Sequence, residues 1–162
     1  SLGGDERSQA IAELFRGVPR STFEQVAREI PLTPGAVDTV ITLRKRGYTV
    51  GVVTDSYRIA AEIVRRRVFA DFSVAHLLRF RAGHAAGELA VSPLFRHPQG
   101  CTVHPLCKQN VVLHLKDRFG IEGDRVLAVG DGLNDACMLR AAGFSFAFEP
   151  KSPLLHAAAA YT

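Results

Sequence analysis

The stretch Val126-Leu127-Ala128-Val129-Gly130-Asp131-Gly132-Leu133-Asn134-Asp135 decides the fold prediction. An apolar run ends here on a turn that is rich in glycine and carboxylates. Four consecutive apolar residues without polar alternation indicate a strand that is covered on both faces. Open α/β sheets bind their ligands at the carboxyl ends of such strands. We therefore expect a buried parallel strand that brings Asp131 to that end, with Asp135 at the start of a helix over residues 134–142.

Two carboxylates at a strand end suit Mg²⁺, which usually takes one or two protein carboxylates and completes its shell with water and substrate phosphate. Gly130 and Gly132 leave room for such a ligand. The same pattern also fits a plain strand–turn–helix junction, in which Asn134 or Asp135 only caps the helix. Two further features of the sequence favour the metal-binding interpretation.

The first feature is a second apolar strand, predicted over residues 48–53. It ends on Thr54-Asp55-Ser56, ahead of a helical pattern over residues 59–68. A hydroxyl at the end of this strand can donate a hydrogen bond to a phosphoryl oxygen. The carboxylate of Asp55 has two interpretations: it meets a cationic group near the phosphate, or it caps the helix that follows.

The second feature is Lys108, which precedes an amphipathic stretch over residues 111–119. A lone lysine is usually an ordinary surface residue. Together with Thr54, Asp131 and Asp135, however, it completes a set of a hydroxyl donor, a fixed positive charge and metal-binding acids. Phosphoryl transfer uses these groups for positioning and for charge stabilisation.

On these residues, the sequence resembles the haloacid dehalogenase (HAD) superfamily, and in particular its phosphoserine-phosphatase-like branch. The resemblance covers nearly the whole chain and follows the order of that branch. It implies a three-layer α/β/α Rossmann-like core with a parallel sheet over residues 32–162, preceded by the remnant of a small helical cap over residues 1–31. The segments that carry the resemblance are residues 14–19, 31–36, 46–50, 130–139 and 141–148.

On the phosphate side, the resemblance implies that Thr54 holds the transferring phosphoryl group. Lys108 would neutralise the charge on phosphate and nucleophile, and Asp55 and Ser56 would lie at the substrate-binding site. Typical phosphoserine phosphatases have glycines after the hydroxyl residue, whereas this chain has Asp55-Ser56-Tyr57. Phosphoserine is therefore one candidate substrate among several small phosphomonoesters.

On the metal side, the resemblance implies Mg²⁺ bound by Asp131 and Asp135. Asn134 would support the metal and the substrate, and Asp135 would also support Lys108. The implied function is hydrolysis of a small phosphorylated metabolite through an aspartyl-phosphate. Two alternatives stay open: a phosphotransferase, and a non-catalytic HAD-like module that binds or regulates.

One part of the family pattern has no counterpart in this sequence. The nucleophile of the family is an aspartate in an Asp-x-Asp-x-Thr motif, which follows an apolar strand and lies before the second motif. Asp5, Asp38 and Asp71 lack that context. We therefore expect a fragment of a phosphatase domain, without its nucleophile and without the middle strand of its sheet. A missing N-terminal segment or a second chain would pair with the strand edges left open.

A loop of mixed cysteine and histidine, His97-x3-Cys101-x2-His104-x2-Cys107, precedes Lys108 and lies outside the family pattern. Such residues at short spacing can bind Zn²⁺ tetrahedrally. Structural zinc sites more often combine ligands from two separated knuckles, however, and Pro98 and Pro105 stiffen this loop without a metal. Both interpretations stay open, and we expect the proline-stiffened loop. Cys137, in the last predicted helix, is expected to be a small core residue.

Periodicity and punctuation predict the remaining elements. Helices are expected over residues 8–16, 22–30 and 34–46. Residues 73–80 and 87–91 are expected to form two strands around a turn in which His84 is exposed.

Composition indicates one soluble domain. A chain of 162 residues with 47% hydrophobic content can bury one sizeable core. Because no apolar stretch reaches membrane-spanning length and no leader precedes the first helix, we expect a cytoplasmic protein without a membrane partner.

The formal charge of +4 is concentrated in residues 44–46 and 65–67, where arginine and lysine complement helix C-termini. Sparse aromatic residues argue against nucleic acid as a partner, and an odd number of cysteines argues against a disulfide scaffold.

Overall fold

The computed structural model of the chain describes residues 4–150 and 152–162. Residues 1–3 of the predicted cap remnant lie outside this description, as does the side chain of Asp5. The fold is mixed α/β with parallel strands, as predicted. The chain forms two compact units, with the boundary between Ser92 and Pro93. The predicted division into a cap remnant and a core stays a prediction.

The first unit is built on one sheet. Its strands are β1 (Gly51–Tyr57), β2 (Phe72–Arg81) and β3 (His84–Ala90), and its helices are α1 (Gly4–Leu14), α2 (Arg20–Glu29), α3 (Ala36–Lys45) and α4 (Arg58–Arg67). The strand order is β1-β2-β3, with β1 parallel to β2 and β2 antiparallel to β3. The buried centre of this unit includes Ala12, Leu78 and Ala85, surrounded by aromatic rings.

Strand β1 begins at Gly51 rather than at Tyr48, and it continues through Thr54-Asp55-Ser56. The N–H of Tyr48 donates to the carbonyl of Leu43, which closes the end of α3. The N–H of Val50 donates to Oδ2 of Asp71 at 2.8 Å. The side chain of Asp71 therefore takes the N–H group of Val50, and the strand begins one residue later. The periodicity of apolar residues gives no information about such a partner from another part of the chain.

The predicted pair of strands after α4 is confirmed as the antiparallel hairpin of β2 and β3. Its turn at Ala82 and Gly83 uses positive φ angles of 47° and 78°. His84 is exposed, as predicted, and its Nδ1 lies 2.9 Å from the carbonyl oxygen of Ala82. Because β2 also pairs with β1, the hairpin is part of the same sheet.

Arginines at the end of α4 contact carbonyl groups at helix ends, as charge complementarity predicts. Nη1 of Arg67 donates to the carbonyl oxygens of Ala27 and Ile30, at the C-terminus of α2. Nη1 of Arg65 donates to the carbonyl oxygen of Ala70 at 2.9 Å. The Arg67 bonds tie the end of α4 to the end of α2, and the Arg65 bond closes the end of α4 itself.

The second unit contains the strand that decided the fold prediction. Its strands are β4 (Leu127–Gly130) and β5 (Phe144–Ala147), which run parallel, and its helices are α5 (Lys108–Phe119), α6 (Ala136–Ala141) and α7 (Pro153–His156). The helix predicted over residues 134–142 begins instead with a 3₁₀ turn, Leu133–Asp135, before α6. The core lies between the helices and one face of the sheet and includes Val112, Ala128, Met138, Leu139, Ala147, Leu155 and Ala158. Within the described ranges of either unit, no helix is both long and apolar enough to cross a bilayer.

The prediction that β4 is covered on both faces is wrong for the described part of the chain. Ala128 is buried, but Leu127 and Val129 point to the other face and are 37% and 54% exposed. Their partners in β5, Phe144 and Phe146, are similarly exposed. This sheet therefore has one packed face and one apolar face open to solvent, and β4 lies at its edge.

Truncation of Leu139, which is 1% exposed in the core of the second unit, tests this packing. We expect Leu139→Ala to lower the free energy of unfolding by about 2–5 kcal/mol, because it removes buried methyl groups and leaves a cavity. Leu154→Ala, at a position that is 67% exposed, is the control and should change it by less than about 0.5 kcal/mol. Urea denaturation measures both values, and equal effects would contradict this core.

Candidate active site

The end of β4 forms a tight turn around two carboxylates. Asp131 follows the last residue of the strand and is exposed. The 3₁₀ turn that follows returns the side chain of Asp135 beneath the strand end. Gly130 permits this approach, because a Cβ at that position would lie 2.5 Å from the Cβ of Asp135. A larger residue at position 130 would displace the Asp135 carboxylate.

The carboxylate of Asp135 is buried, and both of its oxygens accept hydrogen bonds. Oδ2 accepts from the backbone N–H groups of Asp131 and Gly132 at 3.1 and 3.2 Å. Oδ1 accepts from Nζ of Lys108 at 2.7 Å. Asp135 makes no side-chain capping bond to α6, so the interpretation of this residue as a simple cap of that helix is wrong. It closes the preceding turn and holds the lysine.

Lys108 is the first residue of α5, which begins three positions before the predicted stretch over residues 111–119. Its side chain is 10% exposed and that of Asp135 is 5% exposed. Removing two charges from water is costly, and only close contact with further hydrogen bonds compensates for it. The contact of 2.7 Å and the two backbone donors provide that compensation. The expectation that Lys108 is more than a surface lysine is thus met by its burial and its partner.

Asn110, which was not among the predicted site residues, is 2% exposed and holds the loop before α5. Its Nδ2 donates to the carbonyl oxygen of Phe95, and its Oδ1 accepts from the N–H of Cys101, each at 2.8 Å. Gly100 passes so close to this side chain that any Cβ there would collide with Oδ1. A polar residue on the buried side of an amphipathic helix was the signal available in the sequence.

The predicted phosphate-binding residues Thr54, Asp55 and Ser56 lie in the first unit, where β1 departs from its pairing with β2. Val53 pairs with Val74, but Tyr57 pairs with His76, so the segment between them bulges out of the ladder. Such bulges are frequent next to active sites, where they redirect a side chain. Oγ1 of Thr54 accepts from the N–H of Ser56 at 3.2 Å.

The interpretation of Asp55 as a helix cap is wrong. Helix α4 begins at Arg58, its N-cap is Tyr57, and it has no side-chain capping bond. Asp55 is exposed within the bulged segment of β1. Its alternative role, contact with a cationic group near a phosphate, stays a prediction.

The loop before α5 brings together a different set of residues from the one the sequence spacing indicated. Cys101, His104 and Cys107 lie together, and the fourth member is Cys137 of α6. Cys137 is therefore more than the small core residue that was expected. His97 points elsewhere: its Nε2 lies 3.2 Å from Oδ2 of Asp117.

The three thiols of this group differ in acidity. Burial opposes ionisation of the Cys101 thiol, but hydrogen bonds from the backbone N–H groups of His104 and Val103 outweigh it and lower its pKa to about 6. Burial raises the pKa of the Cys107 thiol to about 12. Burial and the neighbouring Cys101 raise the pKa of Cys137.

The family of the chain follows from comparison with known proteins. A family model described as haloacid dehalogenase-like hydrolase matches residues 3–143. The chain belongs to this family. Within it, the chain falls in the phosphoserine-phosphatase-like branch, as the sequence resemblance predicted.

Relatives and solved structures of this HAD branch are similar over most of the chain. Phosphoserine phosphatase SerB2 of Mycobacterium tuberculosis is 33% identical over 149 residues, which are 92% of this chain and 34% of that protein. The phosphoserine phosphatase of Methanocaldococcus jannaschii is 30% identical over 95% of this chain and 68% of its own length. A phospho-aspartyl intermediate analogue of phosphoserine phosphatase superposes with a TM-score of 0.82 at 26% identity, covering 99% of this chain and 72% of that one. The chain spans 34–42% of the length of four of its curated relatives.

The residues at the end of β4 fit a magnesium ion. Asp131 offers an exposed carboxylate, and a hard oxygen ligand of this kind is what Mg²⁺ prefers. Asn134 is exposed as well, and the oxygen of its side chain approaches Gly132. The carboxylate of Asp135 is already held by Lys108 and two backbone groups. The geometry thus favours Asp131 as the ligand and Asp135 as the residue that orients the lysine.

The buried pair of Lys108 and Asp135 can be tested by stability measurements. We expect Lys108→Ala to lower the free energy of unfolding by about 3–5 kcal/mol, because it leaves the Asp135 carboxylate buried without its counter-charge. The matched control is Arg81→Ala, which breaks an ion pair with Glu88 in which the arginine side chain is 72% exposed. That change should be below about 1 kcal/mol. Similar values for the two variants, measured by urea denaturation, would contradict the assigned burial of the pair.

Proposed function

We propose that this chain provides the core of a phosphomonoester hydrolase of the HAD type, acting on a small phosphorylated metabolite such as phosphoserine. The observation that carries the proposal is the buried ion pair of Lys108 and Asp135 beside the exposed carboxylate of Asp131. It is a fixed positive charge next to a candidate metal ligand, at the carboxyl end of a parallel strand. Relatives that are named phosphoserine phosphatases support both the reaction and the substrate class.

Each residue has a role in this proposal. An ammonium group has three N–H donors, and Asp135 accepts from Lys108, so the remaining donors can neutralise charge on a phosphoryl oxygen. Asp131 would hold Mg²⁺, with Asn134 in support, and the ion when bound supplies Lewis-acid stabilisation of the phosphoryl oxygens. Thr54 would donate its hydroxyl hydrogen to the transferring group, and Asp55 and Ser56 would contact the substrate.

The nucleophile in this proposal comes from outside the 162 residues. A carboxylate attacks phosphorus, the bond from phosphorus to the ester oxygen breaks, and that oxygen takes a proton from solvent and leaves as the alcohol. Water then attacks the phosphorus of the acyl phosphate, which releases inorganic phosphate and regenerates the carboxylate. The solved neighbour described as a phospho-aspartyl intermediate analogue supports this route. Neither Asp38 nor Asp71 lies in an Asp-x-Asp-x-Thr sequence.

The strand that carries such a nucleophile would also complete the sheets. β1 and β4 each lie at a sheet edge among the described residues. The open face of β4 and β5 exposes four large apolar side chains, those of Leu127, Val129, Phe144 and Phe146. Exposed edges and apolar faces of this kind invite pairing with a further segment. We propose a preceding segment of the same protein, or a second chain, as the partner.

Residues 1–162 alone should therefore show no Mg²⁺-dependent hydrolysis of p-nitrophenyl phosphate above background, because the nucleophile is absent. The measurement is a phosphate-release assay with and without Mg²⁺. Turnover by this chain that Asp131→Asn abolishes would show that the nucleophile lies within the 162 residues.

A protein completed with a segment that carries the missing motif should hydrolyse phosphomonoesters. Lys108→Ala and Asp131→Ala should each lower its kcat by at least about 100-fold, because both residues act on charge at the phosphoryl group. The matched controls are Lys116→Ala, in the same helix as Lys108, and Asp124→Ala, an exposed acid before β4.

The same protein distinguishes the alternatives. Near-normal rates in either active-site variant would remove the role given to that residue. Binding of phosphoserine without turnover would favour the non-catalytic module, and transfer of the phosphate to an added alcohol would favour the phosphotransferase. A panel of small phosphomonoesters that includes phosphoserine would identify the substrate class.

A further inference from the structure

Four soft side chains in the second unit converge on one point. The possible ligand atoms of Cys101, His104, Cys107 and Cys137 all lie within 4.8 Å of one another. Three come from the loop that ends at α5, and the fourth comes from α6. The fold therefore places Cys137 beside the Cys-x2-His-x2-Cys segment of residues 101–107, although more than 25 residues separate Cys137 from that segment in sequence.

The spacing of Cys101, His104 and Cys137 is close to three edges of a zinc tetrahedron, and Cys107 lies within 4.8 Å of all three. Zn–S and Zn–N bonds of ordinary length place two sulfur ligands about 3.8 Å apart, and a sulfur and a nitrogen ligand about 3.6 Å apart. The two sulfurs of Cys101 and Cys137 are 4.0 Å apart. Nδ1 of His104 lies 3.4 Å from Sγ of Cys101 and 3.5 Å from Sγ of Cys137. A metal ion could bind here with only small adjustments of the side chains.

The surroundings also suit bound thiolates. The N–H of His104 donates to Sγ of Cys101 at 3.4 Å, and hydrogen bonds of this kind orient a ligand sulfur and stabilise its charge. Cys101 is itself held in place by Asn110, whose Oδ1 accepts from its backbone N–H. Three sulfurs and one imidazole nitrogen are a ligand set that selects zinc over hard cations such as Mg²⁺.

In place of the metal-free, proline-stiffened loop expected from the sequence, we propose that Cys101, His104, Cys107 and Cys137 bind one Zn²⁺ in a structural site. The set provides four protein ligands and leaves no position for substrate, which distinguishes structural from catalytic zinc. The site goes beyond the proposed hydrolase function and does not depend on it.

The position of the site indicates what a bound zinc ion would stabilise. Cys107 directly precedes Lys108, and Cys137 lies two residues after Asp135. Zinc would join the start of α5 to the start of α6, and these are the elements that carry Lys108 and Asp135. It would thereby restrain the position of the two residues relative to each other.

The first experiment measures metal in the 162-residue chain, purified without a metal-affinity tag and without chelator. Inductively coupled plasma mass spectrometry should find about one zinc per chain. Cys101→Ser, His104→Asn and Cys137→Ser should each lose it. His97→Asn is the matched control: it changes a histidine of the same loop that the sequence spacing would include, and it should retain the full zinc content because His97 faces Asp117.

The second experiment does not depend on the folding of any variant. The metal is removed from the wild-type chain with a chelator, and Co²⁺ is added. Tetrahedral thiolate ligation should produce strong visible d–d bands and a near-ultraviolet thiolate-to-cobalt band, both lost when Zn²⁺ displaces the cobalt. Removal of zinc should also lower Tm by at least about 5 °C, and Zn²⁺ but not Mg²⁺ should restore it.

Several results would overturn the proposal. They are a chain purified without zinc that gives no cobalt spectrum, iron in place of zinc, loss of metal in His97→Asn, and a disulfide between Cys101 and Cys137 found by peptide mapping. Since none of these readouts uses turnover, failure of the zinc site would leave the proposed hydrolase function untouched.

Discussion

The contact between Lys108 and Asp135 is the interaction on which the second unit depends. Both groups are almost fully buried, and neither charge is stable there without the other. Their 2.7 Å contact requires that the first turn of α5 and the turn after β4 meet at one fixed position. A small shift of either element would leave two charges in a low-dielectric interior, so the surrounding chain must be rigid.

Several otherwise unrelated features of the sequence follow from that requirement. Gly130 lacks a side chain because the Asp135 carboxylate passes directly against it. Asn110 ties the loop before α5 to the helix through two backbone groups. The thiol and imidazole groups of Cys107, Cys137 and their neighbours lie together near the two helix starts, which the proposed zinc would join. Each of these features restrains the elements that carry the ion pair.

The sequence could predict those parts of the site whose residues are neighbours along the chain. The apolar run before Asp131 and the return of Asp135 form one continuous stretch, so the strand and its turn were predicted correctly, although the burial of both strand faces was not. Partners from elsewhere in the chain were not predictable in this way. Spacing alone included His97 in a ligand set and left Cys137 out, because a helix packed across from the loop has no fixed separation in sequence. Strand β1 starts late for the same reason, since the side chain of Asp71 takes the N–H of Val50.

The two metal sites in these proposals would not compete for ions, and the reason lies in their ligand atoms. Asp131 offers a hard, exposed carboxylate at the end of β4. A Mg²⁺ ion bound there would keep most of its water ligands and could replace some of them with substrate phosphate oxygens. The cysteines and His104 offer soft atoms, and four protein ligands would leave no coordination position for water. A hard, labile ion would therefore serve the reaction, while a soft, tightly bound ion would hold the frame. In these proposals the ion pair of Lys108 and Asp135 links the two sites, because Lys108 would act on the phosphoryl group and the zinc would hold both residues in place.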